Sequence, residues 1–175
     1  MKKVLVIVSS LRKGNSETLA DEFIKGAIEG GNDVTKIALR DLNIKYCHGC
    51  GVCQQEGKCI LNDDMDNCLK EMESAHVIVF ATPIYFGEIC GQLKVFMDRC
   101  YPLYPSLNNK KGVIIASCYK NDKKHIDESI NSIRRFLTDI GNIEVSDVIY
   151  GENCDDIYDV SDKQKLYAYE SGKRI

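Results

Sequence analysis

The sequence lacks the features that would indicate a membrane protein or a nucleic-acid-binding protein. None of its 175 residues belongs to an apolar run near the roughly 18 residues that a membrane-spanning helix needs. Basic residues are not in excess, because 23 Lys and Arg stand against 26 Asp and Glu, for a net charge of -3. No basic field is therefore present to attract a polyanion. We expect neither a membrane segment nor a nucleic-acid partner.

Motifs for two kinds of nucleotide site are also missing. The chain contains neither G-x-G-x-x-G, which binds a dinucleotide, nor G-x-x-x-x-G-K-[ST], which binds a triphosphate. Its three histidines have no matching nucleophile and acid, so a hydrolase triad has no support. The first apolar run, residues 4–8, is too short for a signal peptide. These absences favour a cytoplasmic protein that binds a phosphate monoester.

Short apolar runs alternate along the chain with stretches of helical spacing, which is typical of parallel strands joined by crossover helices. Strands are predicted at residues 4–8, 34–39, 76–82, 113–117 and 143–149. Helices are predicted at residues 16–30, from 65 onward, and at 91–101, 125–140 and 161–173. We expect one α/β domain over residues 1–175, a doubly wound five-stranded parallel sheet in the order 2-1-3-4-5.

The loop after the first strand suits a phosphate group. It runs from Ser9 to Thr18, is rich in hydroxyls and opens directly into the first helix. The first turn of a helix leaves amide hydrogens unpaired and carries partial positive charge, to which Arg12 would add. The alternative is that Asn15 or Ser16 only caps the helix, with Arg12 and Lys13 solvated.

The segment after the third strand, residues 81–87, is predicted to be an apolar and aromatic turn. In a doubly wound sheet this edge is where ligands bind, and a planar heterocycle could lie against the aromatic rings. The alternative is that Tyr85 and Phe86 cover the core or a subunit interface.

Four of the nine cysteines are grouped in a cysteine-rich loop, residues 47–59, with the spacing C-x2-C-x2-C-x5-C. In a reducing compartment such a group favours metal or redox chemistry over disulfides. Glycines at 49, 51 and 57 would let the backbone fold around a centre, and four thiolates are what a [4Fe-4S] cluster requires. Structural zinc and a metal-free loop of reduced thiols remain the alternatives. The group consists of Cys47, Cys50, Cys53 and Cys59.

Together these segments resemble the NAD(P)H-dependent FMN reductase and flavodoxin-like superfamily over nearly the whole chain. The resemblance is carried by residues 10–16, by 82–87 followed by 92–99, and by 170–174. The first loop is one residue shorter than is usual in the family. The cysteine spacing, with the residues that follow it, resembles the iron-sulfur flavoprotein branch.

The resemblance implies a flavodoxin-like fold, bound FMN and NAD(P)H as co-substrate. It implies FMN contacts at Ser10, Arg12, Asn15 and Ser16 for the phosphate, at Pro83, Ile84, Tyr85, Phe86 and Gly87 for the ring, and at Ser117. Relatives are commonly dimeric, so a homodimer or higher homo-oligomer is expected. We expect an FMN-dependent oxidoreductase whose acceptor is a small molecule or a redox protein. The alternatives are an electron carrier that does not react with pyridine nucleotides and a flavin-free metal-binding module.

Overall fold

The computed structural model describes residues 1–175 and contains a parallel sheet with helices on both faces. Five parallel strands follow the order β2-β1-β3-β5-β6, and the short β4 pairs antiparallel with the end of β3. With β4 set aside, this is the predicted flavodoxin-like order 2-1-3-4-5, which is confirmed. The strands are β1 (Lys3–Val8), β2 (Asp33–Ala38), β3 (Val77–Tyr85), β4 (Glu88–Ile89), β5 (Lys111–Ser117) and β6 (Glu144–Gly151).

Seven α-helices connect or flank the strands, and none is long and apolar enough to cross a membrane. The single helix predicted for residues 125–140 is wrong, because α5 and α6 meet at Ile130, whose φ of -90° and ψ of 3° interrupt the helix. The helices are α1 (Asn15–Glu29), α2 (Val52–Glu56), α3 (Met65–Ser74), α4 (Gly91–Arg99), α5 (Lys123–Ser129), α6 (Asn131–Gly141) and α7 (Asp162–Lys173).

The core has two layers because alternate strand residues point to opposite faces of the sheet. On one face, residues such as Ile7 and Phe80 pack with buried residues of α3, α4 and α6. The Phe80 ring makes edge contacts with Phe96 and Phe136. On the other face, residues such as Val6 and Val79 pack with buried residues of α1 and α7.

Helices α1 and α7 approach each other backbone to backbone. A Cβ added to Gly172 would lie 2.0 Å from the carbonyl oxygen of Phe23, and one added to Gly26 would lie 1.9 Å from that of Tyr169. Only glycine fits at these two positions. The contact anchors α1, whose first turn faces the carboxyl edge of the sheet.

The third strand is longer than its sequence pattern indicated and ends at Tyr85. The hairpin turn to β4 is only two residues long, Phe86 and Gly87, with φ values of 52° and 78°. Positive φ at both positions is the type I′ turn, whose twist matches that of the flanking strands. The predicted turn at residues 81–87 is therefore largely strand, and the fully exposed Phe86 lies at the tip of the hairpin.

Candidate functional site

A cavity of about 180 Å³ lies where the carboxyl ends of β1, β3 and β5 meet. The strand order reverses at β1 and β3, and such a switch point is where doubly wound sheets bind their ligands. We call it the phosphate cavity. Eight of the ten residues expected to contact FMN line it, the exceptions being Phe86 and Gly87. Its lining comprises Ser10, Arg12, Gly14, Asn15, Ser16, Pro83, Ile84, Tyr85, Ser117, Cys118, Tyr119, Cys154 and Asp155.

The first turn of α1 opens into the phosphate cavity without a side-chain cap. Gly14 is the N-cap residue, and its carbonyl accepts the first helical hydrogen bond from the amide of Thr18 at 2.8 Å. The alternative that Asn15 or Ser16 merely caps this helix is therefore wrong. The earlier amides of the turn point out of the helix and can donate to an anion.

The loop before α1 is held in shape by its own hydrogen bonds. The Ser10 hydroxyl donates to the carbonyl of Arg12 at 2.7 Å. The Asn15 side-chain amide donates to the carbonyl of Asp156 at 2.7 Å, which ties this loop to the one that follows β6. The Asn15 Oδ1 atom is buried and has no partner, so it is available to accept a hydrogen bond from a ligand hydroxyl.

Glu17, in the same helical turn, is a buried carboxylate that is already neutralised. It accepts hydrogen bonds from Arg40 at 2.7 and 3.0 Å and from Lys36 at 2.8 Å. Burial raises the pKa of Glu17, but the bonds from Arg40 and Lys36 outweigh it and hold the pKa below its ordinary value. Because those two cations are engaged, Arg12, which forms no ion pair, remains as the cation for an anionic ligand.

A second, more open cavity of about 600 Å³ adjoins the first and shares Ile84, Tyr85 and Tyr119 with it. We call it the ring cavity. Phe86, Gly87, Lys120 and His125 complete its lining. Tyr85 and Phe86 are exposed, so the alternative that they cover the core of this chain is wrong. All ten residues expected to contact FMN thus lie along two connected cavities at one edge of the sheet.

A chain of buried hydrogen bonds links the amino end of α4 to the loop after β1. The Cys90 thiol donates to the Ser9 hydroxyl at 3.1 Å, and that hydroxyl donates to the carbonyl of Ala81 at 3.0 Å. Cys90 is the N-cap residue of α4. The amino end of α4 is therefore joined to the loops of the phosphate cavity.

The cysteine loop lies at the other end of α4. After β2 the chain runs along this helix, and its residues 39–46 form a groove with Gly91, Gln92 and Val95. The four grouped cysteines then line a cavity of about 190 Å³ with Tyr101, just beyond the carboxyl end of α4. A helix of nine residues is roughly 13 Å long. The cysteine cavity and the phosphate cavity of one subunit therefore lie toward opposite ends of α4.

The cysteine cavity is suited in its chemistry to an iron-sulfur cluster. Gly49, Gly51 and Gly57 have φ values of 65° to 72°, and a Cβ at any of them would meet nothing within 4 Å. Burial raises the pKa of Cys53, and the neighbouring Cys59, Cys50 and Cys47 raise it further. The shift disfavours a free thiolate at Cys53.

The arrangement of the four thiols bears on both metal alternatives. No three His, Cys, Asp or Glu side chains converge on one point as a single ion requires. A [4Fe-4S] cluster binds each thiolate through a different iron, so its sulfurs surround a volume instead. Four thiols line one cavity here, which is the number of ligands that a [4Fe-4S] cluster requires.

Several residues of these sites were not identified in the sequence. Tyr119 and Cys118 follow the fourth predicted strand directly, so their place at the ligand edge could have been found. Cys154 and Asp155 come from the loop after β6, which has no motif. Arg99, the last residue of α4, is buried and contacts Cys59 of the cysteine loop.

The fold and its edge cavities define a flavodoxin-like protein. Residues 2–152 match the family described as NADPH-dependent FMN reductase, and the chain therefore belongs to that family of oxidoreductases.

Among curated proteins, the chain is similar to iron-sulfur flavoproteins of archaea. One from Methanocaldococcus jannaschii is 40% identical over 117 residues, 65% of this chain and 61% of that protein. One from Archaeoglobus fulgidus is 33% identical over 114 residues, 64% of this chain and 52% of that protein. One from Methanosarcina thermophila is 30% identical over 149 residues, 83% of this chain and 78% of that protein. The chain thus spans only about half to three fifths of the first two.

Solved structures show the same fold at low sequence identity. An FMN-dependent NADH-azoreductase from Bacillus anthracis in complex with FMN has a TM-score of 0.75 at 16% identity, covering 99% of both chains. An NAD(P)H:quinone oxidoreductase from Methanothermobacter marburgensis has a TM-score of 0.73 at 16% identity, covering 99% of this chain and 93% of that one.

Proposed function

We propose that this protein is a cytoplasmic, FMN-dependent oxidoreductase that passes electrons from NAD(P)H to a small-molecule or redox-protein acceptor. The observation that carries the proposal is the convergence of three separate segments on two connected cavities at the strand-order switch. The family match and the FMN complex of a similar fold support the choice of ligand.

The phosphate cavity has the donors that an FMN phosphate needs. The open first turn of α1, the hydroxyls of Ser10 and Ser16 and the guanidinium of Arg12 would hold the phosphate. The unpartnered Oδ1 of Asn15 would accept from a hydroxyl of the sugar chain. Ser117 completes this lining opposite the loop.

The ring cavity offers flat aromatic and apolar surface with one lysine, Lys120, in its lining. Ile84 and Tyr85, followed by the hairpin tip at Phe86 and Gly87, would orient the ring and exclude water from one face. Pro83, at the end of the sheet, keeps this wall rigid because its φ is fixed. When bound, FMN supplies the hydride and electron chemistry, so no side chain need act as a nucleophile.

A second centre is favoured by the cysteine cavity. We propose that Cys47, Cys50, Cys53 and Cys59 bind one [4Fe-4S] cluster, which would pass electrons singly where flavin can take a pair. The names of the relatives support this assignment. We also propose that the protein acts as a homodimer or a higher homo-oligomer.

The phosphate site is tested by Arg12→Ala, with Lys13→Ala as the matched control, since Lys13 is the neighbouring cation and does not line the cavity. Loss of one charge-assisted contact should weaken FMN binding about tenfold or more. Fluorescence titration of the FMN-free protein measures the dissociation constant. Equal FMN affinity in the Arg12→Ala and Lys13→Ala variants would remove Arg12 from the site.

The reaction is tested by mixing the FMN-loaded protein with NADH or NADPH in the absence of oxygen. Rapid bleaching of the flavin absorbance is expected for the oxidoreductase. Bleaching only by a reduced partner protein would identify an electron carrier instead. A colourless protein that binds no FMN would contradict both.

A further inference from the structure

We infer that Arg99 is a positioning residue for the four-cysteine site: it holds the cysteine loop closed and donates a hydrogen bond to the sulfur of Cys59. This inference rests on the proposed cluster and adds to it a residue outside the cysteine motif. Arg99 is the last residue of α4, where an arginine is ordinarily solvated, yet only 1% of its side chain is exposed. It therefore does more than provide charge at a helix end.

The guanidinium contacts both ends of the cysteine loop. Its Nη1 atom donates to the carbonyl of Lys45 and to Asp63 Oδ2, each at 2.7 Å. Its Nη2 atom donates to Asp63 Oδ1 at 3.0 Å and to Cys59 Sγ at 3.6 Å. Asp63 in turn accepts from the backbone amide of Lys45 at 2.9 Å. Lys45 precedes the first cysteine of the loop and Asp63 follows the last, so one side chain closes the loop and reaches a proposed ligand.

The loop itself buries little apolar surface. Its one helix, α2, is five residues long and buries no side chain, and Cys47 and Cys50 are exposed. The backbone entropy of ordering such a segment is not offset by apolar burial within it. The Arg99 contacts, together with the bond from the Gln54 side chain to the Tyr101 carbonyl, fix its shape before a cluster binds.

Stability alone does not account for this arrangement. A buried ion pair is often replaceable by packed apolar side chains at no cost in stability, because both charges must be removed from water. Here the pair is kept although Arg99 Nε is buried without a partner. Apolar side chains could reproduce neither the hydrogen bond to the Lys45 carbonyl nor the donor aimed at Cys59. Hydrogen bonds to ligand sulfurs and nearby positive charge raise the reduction potential of an iron-sulfur cluster.

The test compares the wild type, Arg99→Lys and Arg99→Met after anaerobic cluster reconstitution of the FMN-loaded protein. Arg134→Lys is the matched control, because Arg134 forms a partly exposed pair with Asp127 and does not line the cysteine cavity. Iron, sulfide and FMN contents are measured, and the midpoint potential is determined by redox titration followed by electron paramagnetic resonance.

We expect Arg99→Met to shift the cluster's redox equilibrium about tenfold toward the oxidised state, which is about 59 mV for a one-electron couple. Arg99→Lys keeps the charge but cannot reach Lys45, Asp63 and Cys59 together. It should shift the equilibrium in the same direction by less than Arg99→Met does, and it should lose its cluster faster than the wild type. Arg134→Lys should match the wild type. If Arg99→Met does not fold, as judged by circular dichroism and FMN content, Arg99→Lys decides.

Two failures are distinguishable. A wild type that takes up no iron overturns the cluster and this inference together. A wild type that takes up iron, with Arg99 variants of unchanged potential and cluster lifetime, overturns the inference and leaves the cluster in place.

Discussion

Asp63→Asn removes the counter-charge of a buried guanidinium while keeping the shape of the side chain. The side chain of Asp63 is fully buried and makes two hydrogen bonds with Arg99, at 2.7 and 3.0 Å. The variant leaves the charge of Arg99 buried without a partner charge. Removing one member of a buried ion pair costs about 3 to 5 kcal/mol of unfolding free energy. That is a large part of the roughly 5 to 15 kcal/mol available to a small domain.

The pair of Arg99 and Asp63 also makes the unfolding free energy depend on pH. Burial raises the pKa of Asp63, but the bonds from Arg99 and from the amides of Lys45 and Met65 outweigh it and lower the pKa to about 2 from 3.8. A carboxyl whose pKa is lower in the folded state adds stability that is full above its unfolded pKa and is lost as the pH falls through the folded value. The contribution is about 2.5 kcal/mol at pH 5, and about 1 kcal/mol of it is lost by pH 3.

Urea unfolding of the metal-free, reduced protein at pH 7, 5 and 3 measures both effects. The unfolding free energy of Asp63→Asn should be lower than that of the wild type by at least about 3 kcal/mol at pH 7. This difference in unfolding free energy should decrease by about 1 kcal/mol between pH 5 and pH 3. Asp127→Asn is the control, because that carboxylate is half-exposed beside Arg134 and its loss should cost no more than about 1 kcal/mol. A difference at pH 7 no larger than that of the control would refute the reasoning.

Three further changes test other parts of the structure. Tyr85→Ala should raise the fluorescence of bound FMN or slow its reduction while far-ultraviolet circular dichroism is unchanged; if neither changes, Tyr85 has no contact with the ring. Gly172→Ala should lower the unfolding free energy by about 1 to 3 kcal/mol or more in urea titrations, because its Cβ would meet the Phe23 carbonyl. Gly91→Ala, whose Cβ meets nothing, should be neutral or stabilising by up to about 1 kcal/mol, and equal effects of the two would contradict the α1 and α7 contact. Cys50→Ser should abolish cluster absorbance but leave FMN bound, whereas full iron content in this variant would exclude Cys50 as a ligand.

Strand order could be predicted from the sequence because each parallel strand is a short apolar run and right-handed crossovers leave few topologies. The break between α5 and α6 at Ile130 could not be predicted. Ile126, Ile130 and Ile133 are all buried, so the apolar face continues across the break. The end of β3 was placed too early because Pro83 is typical of a turn. In the structure it pairs with Ser117 at the last register position, where a missing amide costs least.

The phosphate and ring cavities were largely predictable because the carboxyl ends of parallel strands meet at one edge of the sheet. The position of the cysteine loop was not, since it depends on how residues 39–46 pack along α4. The contact between Arg99 and Asp63 joins residues 36 positions apart, and no local pattern records it. Each charge taken alone was typical of a helix end.

The backbone contact between α1 and α7 affects the order in which the protein can be assembled during translation. Helix α1 ends at Glu29, but α7, which packs against it, ends at Lys173. At about 5 to 20 residues per second, the ribosome needs roughly 7 to 30 s to make the chain between them. Until then the packing partner of Gly26 is absent, and α1, which begins at the phosphate cavity, has no contact with α7. We therefore expect FMN to bind tightly only after α7 has packed on α1, when it can stabilise the folded chain by mass action.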